Sequence, residues 1–317
     1  MRQLSCTNAA VNENTQKRRV GTDQLILTGG RSIRSWIRHR VTQALPSPLA
    51  RTLKWVRSRG RGRLSAEARW QIFDRISPHM SMVDPLYEWL LESGMLDSAE
   101  SLFSIGPGDG RLELRLAKNF GLTVGYAEPT VAFRDSLEAS ADAAGLTNRI
   151  VERQEGPYKP RRLTRRYDLI LSSGSWYAAG YDRGTLDQTL SALTPNGVLI
   201  IALSSCDDFF MTERITRPTV MTAEDLAHWL GNQGVEHEVH RVERRVSNDL
   251  LLESGQLTEL ARDVLSFYTL RHWYKVPSRD RDRLKASLFR NKERGFFTRV
   301  RGLVVLYKSR QTYVVHV

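Results

Sequence analysis

The stretch Ser-Leu-Phe-Ser-Ile-Gly-Pro-Gly-Asp-Gly at 101–110 constrains this chain more than any other. A short apolar strand runs straight into three glycines at alternate positions, Gly106, Gly108 and Gly110, and the amphipathic segment 111–118 follows. Glycine lets a backbone turn sharply and approach a ligand, and a helix starting there offers unpaired N–H groups. Such a strand belongs in an α/β sheet, with the bend at its carboxyl edge.

The second element is Val-Gly-Tyr-Ala-Glu at 124–128, whose Glu128 ends the next strand 18 residues beyond Gly110. A carboxylate at that strand end can accept two hydrogen bonds from a ribose diol. Dinucleotide enzymes prefer Gly-x-Gly-x-x-Gly, whereas the spacing here is Gly106-x-Gly108-x-Gly110. A fourth strand begins at Tyr167-Asp168, runs apolar, and ends in Ser173, Gly174, Trp176 and Tyr177, where open α/β sheets bind ligands. Strands are expected at 101–105, 122–127, 149–153, 167–172, 197–203, 236–243 and 302–307, with helices between most of them. This predicts a Rossmann-like, seven-stranded, mainly parallel α/β sheet with helices on both faces. Ser65 is a predicted N-cap for a helix to about Ile76, and Pro85 opens another to Glu92. The interval 244–301 before the last strand carries helical patterns at 256–268 and 279–289 and is read as a helical insertion.

Charge divides the chain in two. The formal net charge is +12, and residues 1–65 hold 14 Lys+Arg against 2 Asp+Glu, so the remainder is neutral. Residues 1–65 are therefore expected to be a disordered or partly helical basic arm, and 66–317 the folded domain. Within the arm, 31–63 is basic and amphipathic, which suits nucleic acid, an anionic membrane surface or an acidic partner. A solubilising extension explains it equally well. No run approaches the roughly 20 apolar residues of a membrane span, and the first 28 residues lack the apolar stretch of a secretory signal. Cys6 and Cys206 form no metal or disulfide pattern, so a reducing, cytoplasmic setting is expected.

With these residues assembled, the chain resembles class I S-adenosylmethionine-dependent methyltransferases, and within them the histamine N-methyltransferase-like group, over roughly 70–308. Residues 103–110 are similar to that group's first motif, which has Ser-Ile-Gly where most class I enzymes place an acid two residues before the first glycine. Glu128-Pro129 resembles its ribose-binding Glu-Pro, and 221–226 its segment before the sixth strand. The resemblance implies S-adenosyl-L-methionine held by Gly106, Gly108, Asp109, Gly110, Glu128 and Pro129. It also implies Ser173 and Gly174 at the methionine end, Gln154 or Glu155 near the adenine, and Phe133 where the group has a Gln. Three substrate positions depart from the group: Gly174 replaces its Gln, Val83 and Asp84 fall at its carboxylate, and Arg299 falls at its Asn. Histamine itself is thus not implied.

A sulfonium methyl is already electrophilic, so alignment and exclusion of water do most of the work, worth roughly 7–11 kcal/mol. An amine acceptor must also be held neutral, by desolvation or a base. Asp84 and His79 are candidates over the methyl, Asp84 as anchor for a cationic acceptor. Tyr177 or Trp176 can hold an ammonium by cation–π attraction or pack in the core. Trp70 and Phe73 read as helix packing more than lid, and the aromatic run from Phe267 to Tyr274 as pocket wall or insertion core. His237 and His240, interleaved with Glu236 and Glu238, suggest a solvated face and no metal site. The expected activity is methyl transfer to a small molecule at an amine nitrogen. The alternatives are an RNA or DNA methyltransferase using the arm, and a non-catalytic binding protein of the same fold.

Overall fold

The computed structural model describes residues 63–178, 180–205, 207, 221–289 and 295–311. The expectations for 1–62 lie outside the described residues. The described residues from Leu64 onward form one compact unit.

Along β5 (Leu193–Ser204), Leu199, Ile201 and Leu203 join one apolar cluster while Val198, Ile200 and Ala202 join another. A strand buried on both faces needs a layer on each. The same alternation holds in β1 (Ser101–Ile105), where Phe103 and Ile105 oppose Leu102, and in β9 (Phe296–Tyr307), where Val304 and Leu306 oppose Leu303 and Val305. The remaining strands of the sheet are β2 (Thr123–Ala127), β3 (Ile150–Gln154), β4 (Tyr167–Ser173) and β6 (Glu238–Ser247). Their order is β3-β2-β1-β4-β5-β9-β6. Pairing is parallel from β3 through β5, and β9 alone runs against its neighbours, β5 and β6. This is the Rossmann-like sheet the alternation predicted, and the order reverses between β1 and β4, where such sheets open a ligand crevice.

Helices α1 (Ala66–Met80) and α2 (Val83–Glu92) precede the sheet. Ser65 caps α1 by accepting from the Ala68 N–H. The helix outruns the expected Ile76 because Pro78 is tolerated in its last turn. The Asp74 carbonyl, which Pro78 has no N–H to meet, accepts from Ser77 Oγ instead. Helices α3 (Arg111–Phe120), α4 (Val131–Ala143), α5 (Arg183–Ser191) and α6 (Ala223–Asn232) cover the sheet. Between β6 and β9 come α7 (Asn248–Leu251), the hairpin β7 (Leu252–Glu253) and β8 (Gln256–Leu257), α8 (Glu259–Thr269) and α9 (Ser278–Phe289). The insertion is shorter than 244–301, since the β6–β9 ladder continues to Ser247 opposite Phe296. It shares a core with α1, in which Ile72, Ile76 and Met80 meet Val264, Leu265, Leu284 and Phe297.

Candidate functional site

The glycine bend lies where the strand order reverses. Gly106, Gly108 and Gly110 have φ of 65°, 66° and 71°, a region only glycine enters freely. A side chain at Gly106 would also strike Ser175, whose Oγ bonds to Ser172 Oγ and to the Ile105 carbonyl, tying the ends of β1 and β4 together. Gly108 differs, because a Cβ there would meet nothing within 4 Å. Its backbone borders open space. Gly110 is the N-cap of α3 and rests on Leu137.

Glu128 follows β2 and is 5% exposed. Its Oε2 accepts from the Gly108 N–H at 3.2 Å and its Oε1 from the Thr130 N–H at 2.8 Å. The two sequence elements thus form one cradle. A carboxylate has about four acceptor sites, so two remain. Pro129 is exposed just beyond it. Asp109 is buried beneath the bend with Oδ2 2.7 Å from Arg111 Nε; burial lifts its pKa and Arg111 opposes the shift. Gln154, 7% exposed at the end of β3, accepts through Oε1 from the Lys159 N–H, while its buried Nε2 has no partner. Ser173 is exposed at the end of β4, and Gly174 follows at φ 72°.

Phe133 lies among aromatics rather than alone. Its ring sits 4.9 Å from Trp70 and 5.6 Å from Phe73, both edge-on, and Phe73 lies 5.9 Å from Phe267. Trp70 and Phe73 therefore do more than pack their own helix: they join α4 to the insertion. Arg111, next to the bend, reaches α1 through a 2.7 Å bond from Nη1 to Ser77 Oγ. Hence α1 touches both the glycine bend and α8.

The catalytic candidates separate. Asp84 does not fit the role expected of it: its carboxylate is exposed, 2.7 Å from Arg115 and 3.9 Å from Arg244, so its charge is met on the surface by arginines. His79 is half-buried in the last turn of α1, and Tyr177 is half-buried beyond β4, against the core. Trp176 is 2% exposed and belongs to that core. In the insertion, Phe267 and Tyr268 face inward, while His272 and Tyr274 stack outside, Tyr274 being 68% exposed. An open groove of about 760 Å³ beside them, lined by Gln256, Arg262, His272, Tyr274 and Lys285, shares no residue with the cradle.

One buried acid was not expected. Glu113, in the first turn of α3, accepts a 2.6 Å bond from Ser104 Oγ, and burial raises its pKa to about 7. Ser104 is the position two residues before the first glycine, where an acid is usual. The clue was the missing carboxylate, which α3 supplies from across the bend.

A scan against protein-family models finds no match. A search of curated proteins finds none either. Among solved structures the chain is similar to an S-adenosylmethionine-dependent methyltransferase from Geobacter sulfurreducens in complex with S-adenosyl-L-homocysteine, at 15% identity over 74% of this chain and 96% of that one, with a TM-score of 0.45. It is similar in the same way to a methyltransferase from Thiobacillus denitrificans with that ligand, at 16% identity, 74% and 98% coverage and a TM-score of 0.45. A third is coclaurine N-methyltransferase bound to N-methylheliamine and S-adenosylhomocysteine, at 13% identity, 70% and 71% coverage and a TM-score of 0.43.

Proposed function

We propose that this chain is an S-adenosylmethionine-dependent methyltransferase acting on a small molecule, at an amine nitrogen. The observation that carries the reading is the cradle: a glycine bend with open space at Gly108, bonded through its own N–H to a buried carboxylate at the next strand end. The parts suit a sulfonium nucleoside. Glu128 keeps two acceptor sites for a ribose diol, and the unpartnered Gln154 Nε2 offers a donor to a purine nitrogen. Phe133 supplies an apolar wall, and Asp109 and Pro129 fix the loop on either side. Ser173 and Gly174, at the end of β4, suit the amino-acid end.

Bound there, the cofactor supplies an electrophilic methyl group. The protein then has to hold the acceptor in line, exclude water, and accept the proton an amine must lose. Helix α1 and the Phe73–Phe133–Phe267 contact provide the cover. In this reading Tyr177, just beyond β4, serves as contact for the acceptor and His79, in the last turn of α1, as proton acceptor.

Calorimetry with S-adenosylhomocysteine tests the cofactor. Wild type should bind, and Glu128→Lys should not, because reversal places a cation against the ribose and loses both backbone N–H bonds. Retained binding in that variant would end the reading. Incubation with methyl-labelled cofactor and a metabolite extract then tests the acceptor: label on a small amine is expected, and label confined to nucleic acid would refute the substrate class.

A further inference from the structure

We infer that Arg299 is a receptor for an anionic group, a carboxylate borne by the methyl acceptor. The inference deepens the reading above and rests on it for the reaction, though not for the anion site.

Arg299 lies on β9, is 8% exposed, and carries a planar guanidinium of five N–H donors. Its Nη1 donates to the Met80 carbonyl at the end of α1, and its guanidinium carbon lies 5.6 Å from the Tyr268 ring centre. Its Nε is buried without a partner, and among the described residues no carboxylate pairs with it. A buried cation left without a counter-charge is costly, and proteins keep one where a ligand brings the missing charge.

Capping of α1 accounts for Nη1 alone and leaves Nε and the charge unmet. The task is shared with Arg244, directly opposite Arg299 in the β6–β9 ladder. Arg244 donates to the Ser81 carbonyl at 2.7 Å and the Pro78 carbonyl at 3.2 Å, and has Asp84 at 3.9 Å. Of two arginines side by side, the half-exposed one has the carboxylate and the buried one has none.

The position suits an acceptor. Two residues along the same face of β9, Arg301 donates to Ser204 Oγ at 2.6 Å, and its Nη2 would sit 3.7 Å from a Cβ built at Gly174. Side chains two apart on a strand are about 7 Å apart, which places Arg299 a short molecule's length from the end of β4. An acceptor the size of an amino acid therefore spans the distance, with its amine near Gly174 and its carboxylate at Arg299. Met80 at the end of α1 and Tyr268 of α8 lie against the guanidinium.

The test uses the full chain saturated with S-adenosylhomocysteine, with acetate as probe and chloride as control at equal ionic strength. Acetate should raise the melting midpoint of wild type above that in chloride. In Arg299→Met the acetate effect should vanish while the midpoint in chloride rises, because an uncompensated buried charge has gone. Tyrosine and histidine should bind at least about tenfold more tightly than tyramine and histamine, a preference lost in Arg299→Met. If Arg299→Met does not fold, Arg299→Lys, which keeps the charge and loses the fork, should retain only a reduced acetate effect. Equal midpoints in acetate and chloride for wild type would overturn the inference. So would weakened S-adenosylhomocysteine binding in Arg299→Met, since the arginine would then serve the cofactor's own carboxylate. Failure of wild type to bind S-adenosylhomocysteine, with the acetate effect intact, would instead count against the methyltransferase reading alone.

Discussion

Gly106 and Gly108 share a backbone conformation and differ in what lies beyond the missing side chain, so the same substitution should read out differently. Alanine at either position carries the cost of a positive φ, about 1 kcal/mol. At Gly106 the new Cβ would also lie 2.5 Å from the Ser175 Cβ, and the join between β1 and β4 would have to shift. Gly106→Ala should therefore lose more stability than Gly108→Ala in urea melts, while Gly108→Ala should abolish S-adenosylhomocysteine binding with little further cost, its Cβ entering ligand space. A Gly108→Ala protein that binds normally would show that this space is only solvent. Glu113 yields a pH prediction. Between its ordinary value of 4.5 and its raised value of about 7, the native state keeps a proton that the unfolded chain has lost. Stability must then fall as pH rises through that window and level off above it, by roughly 3 kcal/mol in all. Glu113→Gln still accepts from Ser104, so it should flatten the dependence and be more stable than wild type at pH 8, as urea midpoints at pH 5 and pH 8 would reveal.

At the scale of elements, α1 is the piece on which the site depends most. Its polar edge carries Arg75, 2.7 Å from Asp263 of α8 but 55% exposed, and such pairs contribute about 0–1 kcal/mol. Its apolar edge carries Phe73, which contacts Phe133 and Phe267 together. Phe73→Ala should cost roughly 3 kcal/mol or more of stability and speed the release of S-adenosylhomocysteine in stopped-flow measurements, whereas Arg75→Ala should change neither appreciably. Equal effects would mean that α1 is held by charge rather than by this contact. The elements were largely legible beforehand because their signals are local: the Ser65 cap, the glycine bend, the strand expected at 197–203. What α1 covers was not legible. Trp70 and Phe73 show helical spacing whatever they face, and only the meeting of α4 with α8 makes them a bridge. Asp84 was misread for a related reason: a carboxylate after a helix start looks available until Arg115 and Arg244, far along the chain, are placed beside it. Glu113 was overlooked because, in the pattern of α3 alone, an acid in a first turn looks like a solvated one.

For the molecule as a whole, the charge division makes a separate prediction. The described domain begins where the basic arm ends, and residues outside 1–65 have no net charge. Removing 1–62 should abolish salt-sensitive binding to a polyanion such as heparin and leave the calorimetric S-adenosylhomocysteine signal unchanged. Loss of the cofactor signal on truncation would show that the arm is part of the site. The order of strands carries a consequence for how the chain is made. β9, the last in sequence of the described sheet strands, inserts between β5 and β6, both synthesised earlier. Until it arrives, Leu199, Ile201 and Leu203 sit on an open edge that could pair with any passing strand. A nascent chain halted between 270 and 296 has its cofactor-cradle residues complete and its sheet unfinished, so such fragments should be substrates for chaperones and aggregate when those are withheld.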